Sequence, residues 1–334
     1  MSTAAPALAG PGRRRRSVAL LLLLAALLLL PLVANSYLIS VMILVLLAAY
    51  LGQAWNIMMG FAGLLSLGHA LYLGLGAYAA AALFVHYGIS PWLGMLVGMA
   101  LAALAGAVIA ALSFRFGVTG VYFALLTIAF AEFTRILFDH LQWVGGSSGY
   151  FLPVRSAAAL DLVNLRGPPV MFYYLMLALA AGALALSRAL LRSRIGFYWQ
   201  ALREDQEAAA ALGIDVFRYK LAAVALSAAM TSVGGVVEAF YYNNLYPSTV
   251  FSVGNSVDII AGPIVGGLGT LIGPILGAFV LTGLSEAMTN LTQQLHVDGI
   301  KQFAYGAVLL LIVMLQPGGL WPWLARRLGF AERR

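Results

Sequence analysis

The sequence predicts an all-α polytopic membrane protein of about ten transmembrane segments, with glycine-broken helices and both termini in the cytoplasm. Three observations lead there. Hydrophobic residues make up 62% of the 334 and charged residues 9%, whereas soluble domains carry about a quarter charged residues. The apolar residues fall in repeated runs of about 20, long enough to cross a hydrocarbon core about 30 Å thick as a helix. Alternation with a period of two, the mark of an outer-membrane barrel, is missing from these runs. The mean hydropathy of +0.94 agrees. With no cysteine, the chain has no disulfide framework, thiolate metal site or cysteine nucleophile. It also lacks a Gly-x-x-x-x-Gly-Lys-Ser/Thr phosphate loop, metal-ligand spacing and a nucleophile triad, so no bound cofactor or metal and no enzyme chemistry is expected of it.

The elements follow in order. Residues 1–17 form a basic N-terminus, with Arg13, Arg14, Arg15 and Arg16 just ahead of a leucine-rich first run at 18–33. A secretory signal opens the same way, with residues 34–36 as a weak cleavage region, but the spans that follow at once favour retention. The second run, 37–59, is interrupted by Gly60, Gly63 and Gly68. Runs at 70–85, 92–112, 118–138, 170–191 and 221–242 come next, and 252–268, 271–291 and 300–315 complete the membrane domain, 18–316. Residues 317–334 are left as a tail. The 252–268 run fits either a span or a re-entrant segment.

Charge sets the orientation. With the arginine-rich N-terminus inside, an even number of crossings returns the chain to the cytoplasm. Arg115, the 192–220 loop, and Arg326, Arg327, Arg333 and Arg334 all then fall inside. The 140–169 loop, with Gly145-Gly146-Ser147-Ser148-Gly149, falls outside. The net charge of +7 sits in loops and tails, so it reports orientation among membrane lipids and not nucleic-acid binding.

Two glycine-rich interruptions mark candidate positions on a translocation pathway: Gly63, Ser66, Gly68 and His69 in the first, and Gly266, Gly267 and Gly269 in the second. Broken helices in corresponding positions expose backbone dipoles to a pathway, and glycines equally serve close helix packing in lipid. His69 reads either as a pathway residue or as a hydrogen-bonded packing histidine. Among intramembrane charges, Glu132 and Arg135 share a helix face with Asp139, as a self-neutralising cluster or a substrate contact. Glu238, Asp258 and Glu286 also fall in or near apolar runs and are functional candidates by default.

The most informative stretch is 202–213, a polar helix former in an otherwise apolar chain. Glu204, Asp205 and Glu207 suit the positive end of a helix dipole, four alanines, 208–211, follow, and Gly213 supplies a stop. Arg192, Arg194, Arg203, Arg218 and Lys220 around it place it in the cytoplasm. A polar helix held there suits the docking of another protein.

Glu207-Ala208-Ala209 followed by Gly213 resembles the coupling loop of ABC importer permeases, and the string 196–216 is similar to the LivM branch of the branched-chain amino acid permeases. The same family is matched in order by Gly63 to His69 with Gly76-Ala77-Tyr78, by Gly120 to Thr127, by Gly145 to Gly149 and by Gly266 to Pro274. Other importers continue the loop with Ile-x-Leu-Pro, whereas Ile214-Asp215-Val216-Phe217-Arg218 carries no such proline. The resemblance implies a permease of the bacterial inner membrane, paired with a second, LivH-like permease. It also implies two ATPase subunits, LivG- and LivF-like, that carry ATP and Mg, and an external or lipid-anchored binding protein. Arg203, Glu204, Asp205, Glu207, Ala208, Ala209 and Gly213 would couple to the ATPases. The cargo implied is a branched-chain or related amino acid, with urea, short amides or aromatic acids as alternatives. A stand-alone secondary transporter or channel is the more distant reading.

Overall fold

A computed structural model describes residues 26–153, 161–295 and 300–327. The basic N-terminus 1–17, the start of the first run and the last part of the tail lie outside the described residues. Residues 26–33 are helical. Asn35 then caps α1 (Ser36–Asn56), its side chain accepting from the Leu38 N–H at 2.8 Å. α1 runs on into a π-helical turn, Ile57–Phe61. After non-helical residues 62–68 come α2 (His69–Tyr87), α3 (Pro91–Arg115) and α4 (Val121–His140). α3 and α5 (Pro169–Arg192) both begin on proline, where the missing N–H costs nothing. Then follow α6 (Arg194–Glu204), α7 (Gln206–Ala211), α8 (Val216–Tyr242) and α9 (Pro247–Val250). α10 (Val253–Gly266), α11 (Gly273–Leu295), α12 (Ile300–Leu315) and α13 (Leu320–Arg327) complete the order. Two short strands, β1 (Tyr150–Phe151) and β2 (Asn244–Leu245), pair antiparallel.

Among the described residues seven segments are long and apolar enough to cross a membrane: α1 with its π turn, α2 to α5, α8, and α9 with α10. The protein is an all-α polytopic membrane protein. The predicted runs become helices with small shifts of their ends. The largest is at α8, which starts at Val216 and not 221, because the Asp215 side chain accepts from the Arg218 N–H and caps the helix there.

α1 and α8 form the centre, each 72% buried along its span, against 28% for α4 and 33% for α3. The apolar bulk of both is interleaved with hydroxyls that fasten one to the other. Tyr50 donates to the Met230 carbonyl at 2.9 Å and Ser227 to the Ala54 carbonyl at 2.7 Å. Ser227, Ala228, Thr231 and Ser232 of α8 are buried, and side chains this small let α2 pack closely on that face.

The bundle has two distinguishable ends. At one, β1 and β2 join the loop after α4 to the end of α8, and Arg166 hydrogen-bonds Asn243 while its guanidinium lies 5.4 Å and 5.5 Å from the Phe84 and Phe240 rings. Burial there pulls the Arg166 guanidinium below its ordinary range. At the other end lie the π turn of α1, α6 and α7, the turn after α10, and Pro322 of α13 against Gly267. Between Leu245, paired with Tyr150, and Gly269, beside Gly60, the chain passes from one end to the other. A traverse, not a re-entrant loop, describes this segment.

Candidate functional site

The polar stretch folds as two helices rather than the single helix expected over 202–213. Asp205 breaks it. At φ −156° and ψ 115° its side chain accepts from the N–H groups of Glu207 and Ala208 at 2.9 and 3.0 Å, capping α7. A short carboxylate competes for backbone donors and so starts a new helix in place of continuing the old one. Glu204 is therefore the last residue of α6, and only Glu207 lies in a first turn. Gly213, at φ 85°, ends the unit as expected.

Two anchors hold α6 and α7 to the bundle. Trp199 is buried and donates from Nε1 to the Tyr219 carbonyl at 2.8 Å. Lys220 is buried, donates from Nζ to Gln206 Oε1 at 2.6 Å, and sits 5.0 Å from the Phe114 ring. The sequence marked Lys220 only as an orienting cytoplasmic charge and gave Gln206 no anchoring role, because each is an ordinary helix residue until the fold brings them together. Ala209 faces inward and is buried, whereas Glu204, Asp205, Glu207, Ala208 and Gly213 are exposed. Leu212 is 83% exposed beside them, so the outward face mixes acid with an unburied apolar side chain.

Arg203 turns the other way. Its Nη1 donates to the Gly60 carbonyl at 2.6 Å, and Nη2 reaches Glu204 at 3.2 Å. Its stem passes Gly63, where an added Cβ would come within 2.9 Å of the Arg203 Cγ. Gly269 closes the other side. At φ 72° it could carry a Cβ only by bringing it within 2.5 Å of Arg203 Nη1 and 2.8 Å of the Gly60 oxygen. Asn56 ties the two breaks directly, accepting from the Gly269 N–H at 2.9 Å and donating to the Thr270 carbonyl at 3.0 Å. Gln53, one turn earlier, donates to the Leu271 carbonyl at 2.5 Å. The two glycine-rich interruptions, far apart in sequence, thus meet at one point with Arg203 between them. Gln53 and Asn56 escaped sequence reasoning. Their signal was two amides three residues apart in an apolar run, since polar groups in lipid need a partner.

The other candidate pathway residues are packed. Ser66, Gly68, His69, Gly266 and Gly267 are buried, and none lines the cavity beside Trp92 and Tyr174 or the one beside Glu238 and Asp258. His69 is held on both sides, Nδ1 at 3.1 Å from Ser66 Oγ and Nε2 at 2.9 Å from Ser227 Oγ. Because the Ser227 proton goes to the Ala54 carbonyl, Nε2 must be the ring donor and Nδ1 the acceptor from Ser66, a neutral imidazole. Ser256 Oγ accepts from the Ala70 N–H at 2.9 Å and Thr127 Oγ1 from the Leu67 N–H at 3.1 Å. The non-helical backbone of 62–68 is thereby fastened to α4, α8 and α10, as buried irregular backbone in a membrane must be.

The intramembrane charges divide into two groups. Arg135 pairs within α4 with both Glu132 at 2.5 Å and Asp139 at 2.7 Å. Glu238, Asp258 and Glu286 gather elsewhere. Glu238 and Asp258 line a cavity of about 710 Å3 bounded by α1, α8, α10, α11 and α12. Glu286, on α11, acts electrostatically with Glu238 on Tyr242, another lining residue. A second cavity of about 510 Å3 near Trp92 and Tyr174 is almost wholly apolar.

This architecture has relatives. Residues 17–316 match the family model described as branched-chain amino acid transport system / permease component. The chain is 28% identical to the high-affinity branched-chain amino acid transport system permease protein LivM of Escherichia coli K12, covering 87% of this chain and 72% of that one. It is 30% identical to the LivM protein of Salmonella typhimurium LT2 over 81% of this chain and 67% of the relative. The LivH permease protein of the same Salmonella strain is 27% identical over 54% of this chain and 52% of its own. No solved structure matches. With the family model spanning nearly all of the membrane domain, the chain belongs to the permease component family of the branched-chain amino acid transport system.

Proposed function

We propose that this chain is one membrane-spanning subunit of an ATP-driven importer for branched-chain or related amino acids in a bacterial inner membrane. It has about ten spans and both termini in the cytoplasm. Its partners are a second, LivH-like permease, two ATPase subunits of the LivG and LivF kind that bind ATP and Mg, and an external binding protein.

The observation that carries this reading is Arg203. It joins the exposed α6–α7 unit to the Gly60 carbonyl and, through the Gly269 contact, to the turn between α10 and α11. A push on the outward face of α7 has a short mechanical route into both helix breaks. Closure of the ATPases would supply that push, and the breaks are where helices can pivot without losing interior hydrogen bonds.

The test is purification of the tagged protein from its host in mild detergent, followed by reconstitution. Recovery with a second permease and two ATPase subunits, and amino acid uptake that requires ATP, supports the reading. In that assembly Glu207→Lys should cut uptake at least about tenfold while the permease still inserts, a loss of about 1.4 kcal/mol in coupling. Recovery of the chain alone, active without ATP, would overturn it in favour of a channel or secondary transporter.

A further inference from the structure

The 710 Å3 cavity has two unlike walls. One is aliphatic, with Leu44, Leu47, Leu51 and Leu281. The other holds the Glu238 and Asp258 carboxylates, the Asn255 amide and the hydroxyls of Thr282 and Ser285. Among the described residues no lysine or arginine lines it. Asp258 is oriented by a hydrogen bond with Tyr305, whereas Glu238, half-buried on the cavity wall, makes no hydrogen bond or ion pair among the described residues. A carboxylate in an apolar bundle is stabilised by a cationic or hydrogen-bonding partner, as the buried Asn56 and His69 side chains are by theirs. The cavity is the space from which a partner for Glu238 can come.

We propose that this cavity receives the transported amino acid, with its α-ammonium group between Glu238 and Asp258 and its aliphatic side chain along the leucine wall. The assignment rests on the transport reading above and sharpens it. An ammonium group satisfies two carboxylates with its several N–H donors, and the leucines suit a branched aliphatic side chain. The same chemistry disfavours aromatic acids without an amine, whose carboxylate would meet the two acids with no ammonium group to offset it, and it leaves urea and short amides without a charge to match.

The absence of cysteine in the chain provides the test. Ser285→Cys places one thiol on the cavity wall of the assembled transporter in proteoliposomes. A cationic methanethiosulfonate should label it at least about tenfold faster than an anionic one of similar size, because the carboxylates attract the first and repel the second. Glu238→Gln, nearly isosteric, should shrink that ratio to about threefold or less. L-leucine should slow labelling in the Glu238 protein, and its deaminated analogue 4-methylpentanoate should not. In the cysteine-free background, Glu238→Gln should raise KM for leucine uptake about tenfold, with Glu238→Asp recovering part of the loss.

Labelling ratios indifferent to Glu238→Gln, or equal protection by leucine and 4-methylpentanoate, would overturn the assignment even with ATP-dependent leucine uptake intact. If the assembly carries no amino acid at all, the transport reading itself fails, and the two failures are told apart by that uptake control.

Discussion

The Arg203 junction and the Glu238–Asp258 cavity both bring charge into an apolar bundle, and they treat it in opposite ways. At the junction the polar groups that matter are matched: guanidinium to the Gly60 carbonyl, Asn56 to Gly269 and Thr270, Gln53 to Leu271. In the cavity Glu238 has no such match among the described residues, and open volume faces it. A satisfied polar network fixes geometry and transmits displacement, because moving one member strains the others. An unsatisfied carboxylate beside a void instead invites a ligand. On the proposals above, the difference separates the part that moves from the part that holds cargo.

The largest way to break this contrast is to cut the junction. Arg203→Ala removes the hydrogen bond to Gly60 and the stem that fills the gap between Gly63 and Gly269. We expect uptake to fall at least about tenfold, with ATP hydrolysis by the complex continuing, since the docking face of α7 is untouched; tenfold corresponds to about 1.4 kcal/mol. Arg203→Lys, which keeps a charge but loses the planar fork, should recover only part of the loss. The check is the ratio of amino acid transported to ATP hydrolysed. A wild-type ratio in Arg203→Ala would mean that the junction is packing alone.

Much of the fold was legible because apolar runs of fixed length have few alternatives in lipid. Six predicted runs, from 37–59 to 221–242, became helices with shifts of a few residues. The glycine breaks were also legible as breaks, although not as neighbours. That Gly60 and Gly269 touch depends on how α1 and α10 pack, and nothing local in either segment encodes it. The α6–α7 unit was legible as a polar helix former, yet its split at Asp205 was missed. Propensity summed over 202–213 favoured one continuous helix, while a single side chain chose to cap. The carboxylates showed the sharpest limit. Glu132 and Arg135 are spaced to pair within one helix and do so. Glu238, Asp258 and Glu286 lie on three helices, and their convergence is a property of the tertiary structure alone.

His69 sharpens the contrast in a second way, because the sequence left it open between pathway and packing. The structure puts it with the matched groups: fully buried, neutral, and bonded to Ser66 and Ser227. His69→Ala leaves the Ser66 hydroxyl without its acceptor, removes the donor to Ser227, and opens a void between α2 and α8. The cost should be about 3 kcal/mol of stability, combining a lost buried hydrogen bond with a cavity. It should be read as earlier thermal aggregation in detergent and less inserted protein. Uptake per inserted molecule should stay within about twofold. Normal stability with abolished uptake would move His69 to the pathway side of the comparison.

The smallest expected effect belongs to Glu132, and it tests whether the cavity alone is the acidic site. In α4 two carboxylates share the Arg135 guanidinium, at 2.5 and 2.7 Å, so the cluster carries one more negative charge than positive. Glu132→Gln leaves Arg135 paired with Asp139 and the cluster neutral, without stranding an ion. With the Glu132 side chain 43% exposed, the change in stability should stay below about 1 kcal/mol. KM for leucine uptake should move less than about twofold, because both carboxylates are already engaged by Arg135 and have little to offer an ammonium group. A tenfold rise in KM in Glu132→Gln, with no rise in Glu238→Gln, would exchange the roles of the two acidic regions. The cargo amine would then be read on the outer face of α4, and the 710 Å3 cavity would be left as a space between helices.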